Sequence, residues 1–329
     1  MSLNAGMVDA AIQDIQKAIS SVDVSGLLLV REDLQAEMAI MAPTDTPLRN
    51  RFNRIQGNGR AHSWYKLVPS SSSEGLFLGT NPSNGFFDRG GLPTATTPRY
   101  KFVSAPYTSL GDVVTVSFFD QMAGGTYTDI KKHQIKVKML NVALMEEWAI
   151  LNGDSSVGTG LQYDGLRKQI TTNITDLASN PLTLSSITTT EQSIVAVGGK
   201  PQALVMSYRE VQKFNELILN SFYRLFQQGA GTMADIPAGI SVTRWVSPFG
   251  IVDVIGSRYL PSTGDSEVLV IDDKTVLEDG NAIQMVDLMP LSAIDLALLQ
   301  SAYRTLVAEF TVLQVTAEAF QGKIINVSA

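Results

Sequence analysis

Residues 153–160 have the glycine spacing of a loop that could bind phosphate. Gly153 and Gly158 stand where the outer glycines of a P-loop stand, and the backbone N–H groups of such loops hold phosphate oxygens. The lysine that should follow the second glycine is replaced by Thr159. The loop also follows a predicted helix that ends at Leu151, whereas a P-loop joins a strand to a helix. We therefore do not expect nucleotide binding here.

Other residue types that carry catalysis are sparse. The chain has no cysteine, which excludes thiolate nucleophiles and cysteine zinc sites, and it has no Gly-x-Ser-x-Gly motif. Its two histidines, His62 and His133, fall in segments of different predicted type, and we interpret them as surface or interface residues. The sequence therefore predicts no catalytic residue, no cofactor and no metal site. The alternative is a hydrolytic enzyme that uses Asp or Glu in the α/β lobe described below.

The composition favours assembly with partners. The chain has 329 residues, of which 44% are hydrophobic, so it can bury a large core in two lobes or in one domain with long excursions. Charged residues make up 17%, below the roughly 25% of average soluble domains. A large surface with few charges indicates that partners cover much of it. The longest apolar stretch, residues 288–315, is interrupted by Asp295, Arg304 and Glu309, so we expect no membrane span.

Positive charge is concentrated in one segment, although the net charge is −7. Between Thr46 and Ser73 every charged residue is basic, and removing these five positive charges from −7 leaves −12 on the rest of the chain. We predict an extended arm that pairs with carboxylates of neighbouring subunits, with phosphate contact as the alternative. The adjacent carboxylates of the long helix are expected on a solvated or inter-subunit face. The candidate inter-subunit residues are Arg49, Arg51, Arg54, Arg60, Lys66, Arg89, Glu146 and Glu147.

Hydrophobic periodicity predicts the main elements. Residues 8–22 and 31–42 read as helices, the first of them amphipathic, and residues 128–151 read as the longest helix. A core-facing stripe on this long helix is formed by Ile130, Val137, Leu140, Leu144, Trp148 and Leu151. The predicted strands are residues 63–68, 100–103, 112–118, 203–206, 251–255, 268–271 and 305–315, followed by a final turn and strand over 317–327.

Residues 185–300 alternate helices with strands and predict a mixed α/β lobe. A capping box over residues 188–191 marks the start of its first helix, and Gly198-Gly199 marks the end. Residues 70–98, rich in Ser, Gly, Asn and Pro, predict a long loop or open hairpin.

The order of these parts, and the residues at their joints, resembles the major capsid proteins of tailed double-stranded-DNA bacteriophages. The segments that carry the resemblance are GDVVTVS at 111–117, EWAILNGD at 147–154 with Gly165-Leu166, PQALVMS at 201–207, and AEFTV at 308–312 with Ala319-Phe320 and INV at 325–327. Each segment alone is degenerate, whereas their order and spacing make the similarity specific.

The resemblance implies an α+β tailed-phage capsid fold with an N-terminal arm, an extended β-hairpin loop, a long spine helix, a peripheral domain and a mixed α/β axial domain. Asn152, Gly153, Asp154 and Gly165 would form a structural corner where the spine helix leads into the peripheral domain. The implied segments are the arm at 1–60, the hairpin loop at 61–124, the spine helix and peripheral domain at 125–184, the axial domain at 185–304 and a return strand of the peripheral domain at 305–329.

The resemblance also implies partners. Copies of the chain would form hexamers and pentamers of an icosahedral shell in the virion, assembled in the host bacterial cytoplasm. A portal protein, a decoration protein and weakly bound DNA are further expected partners. Because the chain reaches its basic segment within about 50 residues, a separate scaffolding protein is also expected, unless the chain is already processed. Some family members form Lys–Asn cross-links through the loop, but residues 70–98 contain no lysine, so we expect none. An encapsulin-like nanocompartment shell is the alternative.

Overall fold

A computed structural model describes residues 45–68, 88–92, 99–124, 129–227, 243–262, 264–277, 280–297 and 301–328. The predicted helices at 8–22 and 31–42, and most of the loop at 70–98, lie outside these residues. The helices are α1 (Pro47–Arg51), α2 (Phe118–Gly124), α3 (Ile130–Asn152), α4 (Leu166–Gln169), α5 (Leu184–Ala196) and α6 (Tyr208–Gln227). The strands are β1 (Asn53–Gln56), β2 (Ala61–Val68), β3 (Arg99–Pro106), β4 (Thr108–Ser117), β5 (Asn173–Asn180), β6 (Ala203–Ser207), β7 (Arg244–Ser247), β8 (Gly250–Ser257), β9 (Ser266–Ile271), β10 (Val276–Leu277), β11 (Gly280–Asn281), β12 (Ile283–Asp295), β13 (Ala302–Val315) and β14 (Gly322–Val327).

A four-stranded sheet carries the long helix α3. Its strand order is β1-β12-β13-β4, with β13 antiparallel to both of its neighbours and β1 parallel to β12. Val142 of α3 packs with Val114 and Val116 of β4 and Val307 of β13. The predicted long helix is thus confirmed, and the sheet supports it along its length.

The stripe predicted to face the core of α3 is correct at its two ends, and at the N-terminal end Ile130 is partly buried against the core around Val142. Leu151 is fully buried, but Trp148 is 39% exposed and Leu144 is half-buried. The buried face instead includes Glu146 and Glu147. Glu146 and Glu147 can point inward here because residues of α1 and β1 provide their hydrogen-bond partners, as described below.

A six-stranded sheet forms the second layer. Its order is β5-β14-β9-β6-β8-β7, and α5 and α6 pack against it. Leu204 and Met206 of β6 join one core with Phe214 of α6, whereas Ala203 and Val205 join the core shared with α3. Strands buried on both faces read as continuous apolar runs, which explains why β6 and β9 show no alternation. The predicted strands at 203–206, 251–255 and 268–271 are confirmed.

Helix α5 begins one turn earlier than predicted. Its N-cap is Thr183, whose hydroxyl accepts a hydrogen bond from the backbone N–H of Ser186 at 3.1 Å, and the Ser186 hydroxyl accepts one from the N–H of Thr183 at 3.3 Å. The predicted cap at Thr188 is wrong because this residue lies inside the helix, where its hydroxyl donates to the carbonyl of Ser185. The predicted end at Gly198 holds, since Gly198 has a φ of +97°.

Strand pairing divides the chain differently from the predicted segments. Strand β1, in the predicted arm, and β12, in the predicted axial segment, both belong to the four-stranded sheet with β13. Strand β14, predicted as part of the peripheral return, belongs to the six-stranded sheet between β5 and β9. Strands β2 and β3 pair as the predicted hairpin base, from Ala61–Pro106 to Val68–Arg99. Local patterns predict strands, whereas their partners depend on contacts distant in sequence.

Candidate functional site

Residues 47–54, which we call the arginine segment, lie between the two sheets. Leu48 and Phe52 of this segment are buried in the core that α3 shares with both sheets. Arg54 contacts Asp287 of β12 at 2.9 Å, and Arg51 contacts Asp253 of β8 at 2.8 Å. The segment therefore connects the two sheets through both apolar and ionic contacts.

Arg51 makes the ionic contact with the six-stranded sheet. Its Nε and Nη2 donate to the two oxygens of Asp273 at 2.8 and 3.0 Å, and its Nη1 donates to Asp253. This two-pronged geometry is the strongest that a guanidinium makes with a carboxylate. The Arg51 guanidinium, with a smaller effect from Arg244, holds the pKa of Asp253 below its usual range.

Glu146 of α3 is the centre of a second group of charges. Its side chain is fully buried, and its two oxygens accept hydrogen bonds from Arg49 Nε and Arg54 Nη2. Arg49 also reaches Glu309 of β13 at 3.4 Å, and Arg54 also reaches Asp287. A buried carboxylate without a partner would be strongly destabilising, so the two arginines are required by the position of Glu146.

Burial, and an excess of carboxyl groups over arginines, favour the protonated form of Glu309. Two guanidinium groups, of Arg49 and Arg54, face the three carboxyl groups of Glu146, Asp287 and Glu309. Burial, followed by the negative charge of Glu146, raises the pKa of Glu309 to about 8. One oxygen of Glu309 has no hydrogen-bond partner among the described residues. A proton on Glu309 leaves the group close to neutral.

Glu147 stabilises the start of α1. Its two oxygens accept the backbone N–H groups of Leu48 at 3.0 Å and of Arg49 at 2.7 Å. These N–H groups are at the N-terminus of α1, where the preceding Thr46 makes no side-chain cap. Burial raises the pKa of Glu147, and the two hydrogen bonds oppose this shift.

These contacts correct the expectation for five of the candidate inter-subunit residues. Arg49, Arg51, Arg54, Glu146 and Glu147 have partners within their own chain, and the predicted solvated or inter-subunit face of the two glutamates is wrong. The physical reason is that the arginine segment folds back onto α3 and does not extend away from it.

The remaining three candidates lie elsewhere. Arg60 is exposed after β1, and Arg89 is exposed in a short turn. Lys66 lies in β2 opposite Lys101 of β3. Contact of these residues with a neighbouring subunit stays a prediction.

The predicted corner is a close crossing of two backbone segments. α3 ends at Asn152, and the N–H of Gly165 donates to the carbonyl of Gly153 at 2.8 Å. A Cβ on Gly165 would lie 2.7 Å from the nitrogen of Gly153 and from the carbonyl oxygen of Leu151. Both glycines have negative φ, so lack of space and not backbone conformation requires them. Asn152 continues the crossing by donating to the carbonyl of Tyr259 at 2.9 Å.

Carboxylates occupy the N–H groups of the glycine loop. The N–H of Ser155 donates to Asp164 at 2.8 Å, and that of Ser156 donates to Asp154 at 2.8 Å. Lys168 contacts Asp154 and Asp164, and its hydrogen bond is the main reason that the pKa of Asp154 is lowered. A loop whose amides already hold two carboxylates is not a phosphate cradle, in agreement with the missing lysine.

The described residues contain little else that could do chemistry. His62 of β2 bonds to Gln314 at 2.9 Å, and His133 lies in α3. Within the described ranges, no three His, Cys, Asp or Glu side chains are grouped to hold a metal ion. Over the same ranges no helix has the length and apolar character needed to cross a membrane.

Comparison with known proteins decides the family. The profile of the SU10 major capsid protein family matches residues 110–327, a span that begins in β4 and ends with β14. The chain belongs to this family. It is a major capsid protein, and its function class is therefore structural, as a capsid component, and not enzymatic. A search of curated proteins finds no match.

Solved structures agree with the predicted α+β capsid fold. The capsid of a native GTA particle matches with a TM-score of 0.64 and 12% identity, over 94% of this chain and 99% of that chain. The capsid of cyanophage A-1(L) matches with 0.64 and 10%, over 94% and 100%. The holo-SrpI encapsulin complex from Synechococcus elongatus PCC 7942 also matches, with 0.64 and 10%, over 93% and 95%. At these identities the matches support the fold alone.

Sequence reasoning missed the acidic partners of the arginine segment in this major capsid protein. These partners are Asp253, Asp273, Asp287 and Glu309. One signal was available, because Glu309 is the single charged residue in the mainly apolar run 305–315 of β13. A single carboxylate in such a strand indicates a buried cationic partner.

We predict that replacing Glu146 with alanine lowers the free energy of unfolding by about 3–5 kcal/mol, because Arg49 and Arg54 lose a shared buried partner. Denaturant unfolding of the purified subunit measures this loss. Glu216→Ala, at an exposed position of α6, is the control and is expected to stay within about 0.5 kcal/mol of the parent. Equal effects of the two variants would contradict the proposed role of Glu146.

We predict a pH-dependent difference between the parent protein and Glu309→Gln. The raised pKa of Glu309 means that the folded state holds this proton more tightly than the unfolded state. Its stabilising contribution is complete below the ordinary pKa of 4.5 and is lost as pH rises through about 8. The stability of the parent relative to Glu309→Gln should therefore fall between roughly pH 5 and pH 9. Denaturant titrations of both proteins across this range measure the difference. Parallel profiles of stability against pH would contradict the raised pKa of Glu309.

We predict that Gly165→Ala destabilises the corner by roughly 2–3 kcal/mol, because the new methyl group meets three backbone atoms that cannot move aside. Gly160→Ala, in the same loop, is the control. It meets open space, and only its φ of +85° costs roughly 1 kcal/mol. Thermal unfolding of both variants tests the order of the two losses, and a greater loss for Gly160→Ala would contradict the crossing.

Proposed function

We propose that this major capsid protein forms the icosahedral shell around the double-stranded DNA genome of a tailed phage, with its copies arranged in hexamers and pentamers. The family match over residues 110–327 carries the proposal, because that span includes α3 and all six strands of the second sheet. The structural likeness to phage capsids supports it at the level of fold.

Exposed apolar side chains support contact between copies. Val246 and Ile251 are paired neighbours on β7 and β8, and they are 75% and 62% exposed. Phe119 and Met122 on α2 are also largely exposed. Clusters of this kind on a free subunit are typical of surfaces that become buried in an assembly.

Contact with packaged DNA is weak and not sequence-specific in this proposal. The three arginines of the arginine segment already have carboxylate partners in their own chain. The protein as a whole carries a net charge of −7, so it has no excess of cations to neutralise phosphates. The shell would confine the DNA without binding it tightly.

Further partners follow from the same proposal. A separate scaffolding protein would guide assembly in the host bacterial cytoplasm, a portal protein would occupy one vertex, and a decoration protein would bind the outer surface. Arg60, Lys66 and Arg89 would contact neighbouring subunits, and no covalent cross-link would form through the hairpin loop.

Negative-stain microscopy tests assembly. The purified protein, alone or with the products of neighbouring genes, should form closed hollow particles. The double variant Val246→Asp and Ile251→Asp should remain as small oligomers, because four charges would be added wherever two such hairpins meet. Gln192→Asp at an exposed site of α5 is the control for added charge. Continued absence of particles, even with a scaffold, would contradict a shell.

The contents of the particles separate the two kinds of shell. The match to an encapsulin complex makes a protein-filled compartment the second candidate. Nuclease-protected DNA in particles from infected or induced cells would support the phage capsid. A co-purified enzyme in small, DNA-free particles would support the compartment.

A further inference from the structure

The chain contains three Asn-Gly pairs, at 58–59, 84–85 and 152–153. Asparagine followed by glycine is prone to spontaneous deamidation, because glycine has no side chain to hinder an attack by its own backbone nitrogen. The structure describes the first and the last of these pairs, and their surroundings differ. The comparison indicates which asparagine the fold leaves free to react.

Asn58 lies in the connection between β1 and β2, and its side chain is exposed. Gly59 is exposed as well, and a Cβ at this position would meet open space. Its φ of +81° is a conformation that favours glycine. Among the described residues, neither the side-chain amide of Asn58 nor the N–H of Gly59 has a hydrogen-bond partner. Both groups that react in a deamidation are therefore accessible.

Contacts hold the chain on both sides of this pair. The N–H of Gly57 donates to the carbonyl of Asp287 in β12 at 2.9 Å. Ala61 begins β2, which is paired with β3 along its length. Residues 58–60 therefore form one of the connections between the β2-β3 hairpin and the four-stranded sheet.

The pair at the corner is held in a different way. The N–H of Gly153 donates to the carbonyl of Ala149 at 2.9 Å, so it must leave that bond before its nitrogen can attack. The side chain of Asn152 is held at both ends. Its Nδ2 donates to the carbonyl of Tyr259 at 2.9 Å, and its Oδ1 accepts from Nη1 of Arg167 at 2.6 Å. The same dipeptide is thus protected here.

We propose that Asn58 is a site of spontaneous deamidation in the folded subunit. The backbone nitrogen of Gly59 attacks the side-chain amide carbon of Asn58, and a succinimide ring forms. The new C–N bond replaces the bond to the amide nitrogen, which leaves as ammonia together with the proton of the Gly59 N–H. Water then hydrolyses one of the two ring carbonyls and gives aspartate or isoaspartate. No enzyme, cofactor or oxidant is required.

The product changes both the charge and the backbone of the connection. A carboxylate appears two residues before Arg60, and isoaspartate adds a methylene group to the main chain. Both changes lie between the hydrogen bond of Gly57 and the start of β2. Because the ammonia is lost to solvent, the converted fraction increases with the age of the subunit.

Peptide mapping of the intact folded protein, incubated in mildly alkaline buffer, measures the reaction. Trypsin releases Asn58 in the peptide 55–60. Asn84 and Asn152 lie in other peptides, so their products are counted separately. Asn58 should convert about tenfold faster than Asn152, because Gly153 reacts only after its hydrogen bond opens. Equal rates, or an unmodified Asn58, would overturn the proposal.

Unfolding provides the matched control. In concentrated denaturant the hydrogen bonds around Asn152 are lost, so the difference between Asn58 and Asn152 should largely disappear. A difference that persists undiminished in the denatured chain would assign it to the neighbouring sequence and contradict the role of the fold. Both measurements use the unassembled subunit, so failure to form shells does not affect them.

The variant Asn58→Gln tests the assignment to this residue. Glutamine must close a larger ring and reacts much more slowly, so the peptide 55–60 of the variant should remain unmodified while conversion of Asn152 is unchanged. An isoaspartyl methyltransferase with a labelled methyl donor provides a second readout, and label in this peptide is expected in the parent alone. Equal labelling of the peptide in both proteins would place the reaction at another residue and overturn the proposal.

Discussion

The buried contact of Glu146 with Arg49 and Arg54 determines the arrangement around it. A carboxyl group with no exposed area must either pair with cations or be neutralised by a proton, and two arginines reach Glu146. That requirement brings the arginine segment against α3 and seats Leu48 and Phe52 in the core. It also directs Arg51 toward Asp253 and Asp273 of the other sheet. One ionic contact thus sets the position of a segment that joins the two layers.

A buried ionic group of this kind is costly to disrupt, even where its net contribution to stability is small. Removing charges from water costs several kcal/mol per ion, and the attraction inside the protein returns about as much when every partner is present. The loss of one partner leaves that cost uncompensated. A misplaced arginine segment would bury Glu146 without cations, so alternative registers of α1 on α3 are disfavoured. The raised pKa of Glu309 agrees with this arrangement, because protonation of Glu309 would remove a third negative charge that two arginines cannot match.

Local signals in the sequence predicted the helices and strands. Contacts between residues distant in sequence determined which of them pack together and which side chains become partners. Helix α3 and strands β6 and β9 were predictable because periodicity and apolar runs are properties of neighbouring residues. The partners of Arg49 were not, since they lie 97 and 260 residues away. The sequence therefore predicted that the arginines form an arm that contacts other subunits, whereas in the structure they contact their own subunit. Trp148 read as a core residue because helical spacing identifies an apolar face and does not say which element covers it.

The two sides of α3 differ in how far the described chain supplies partners for their side chains. On the inner side, every charge of Glu146 and Glu147 has a partner in the same chain, so this side is complete before any assembly. On the outer side, Met145 and Trp148 present apolar surface that the described chain leaves open. Ionic contacts are suited to fixing the fold inside the subunit, because an unmatched buried charge is costly and disfavours other arrangements of the chain. Apolar surfaces are suited to contacts between subunits, because their attraction is not directional. Contacts of this kind can adjust to slightly different geometries. A shell built from many copies of one subunit needs that tolerance at its contacts, and it needs rigidity inside each subunit.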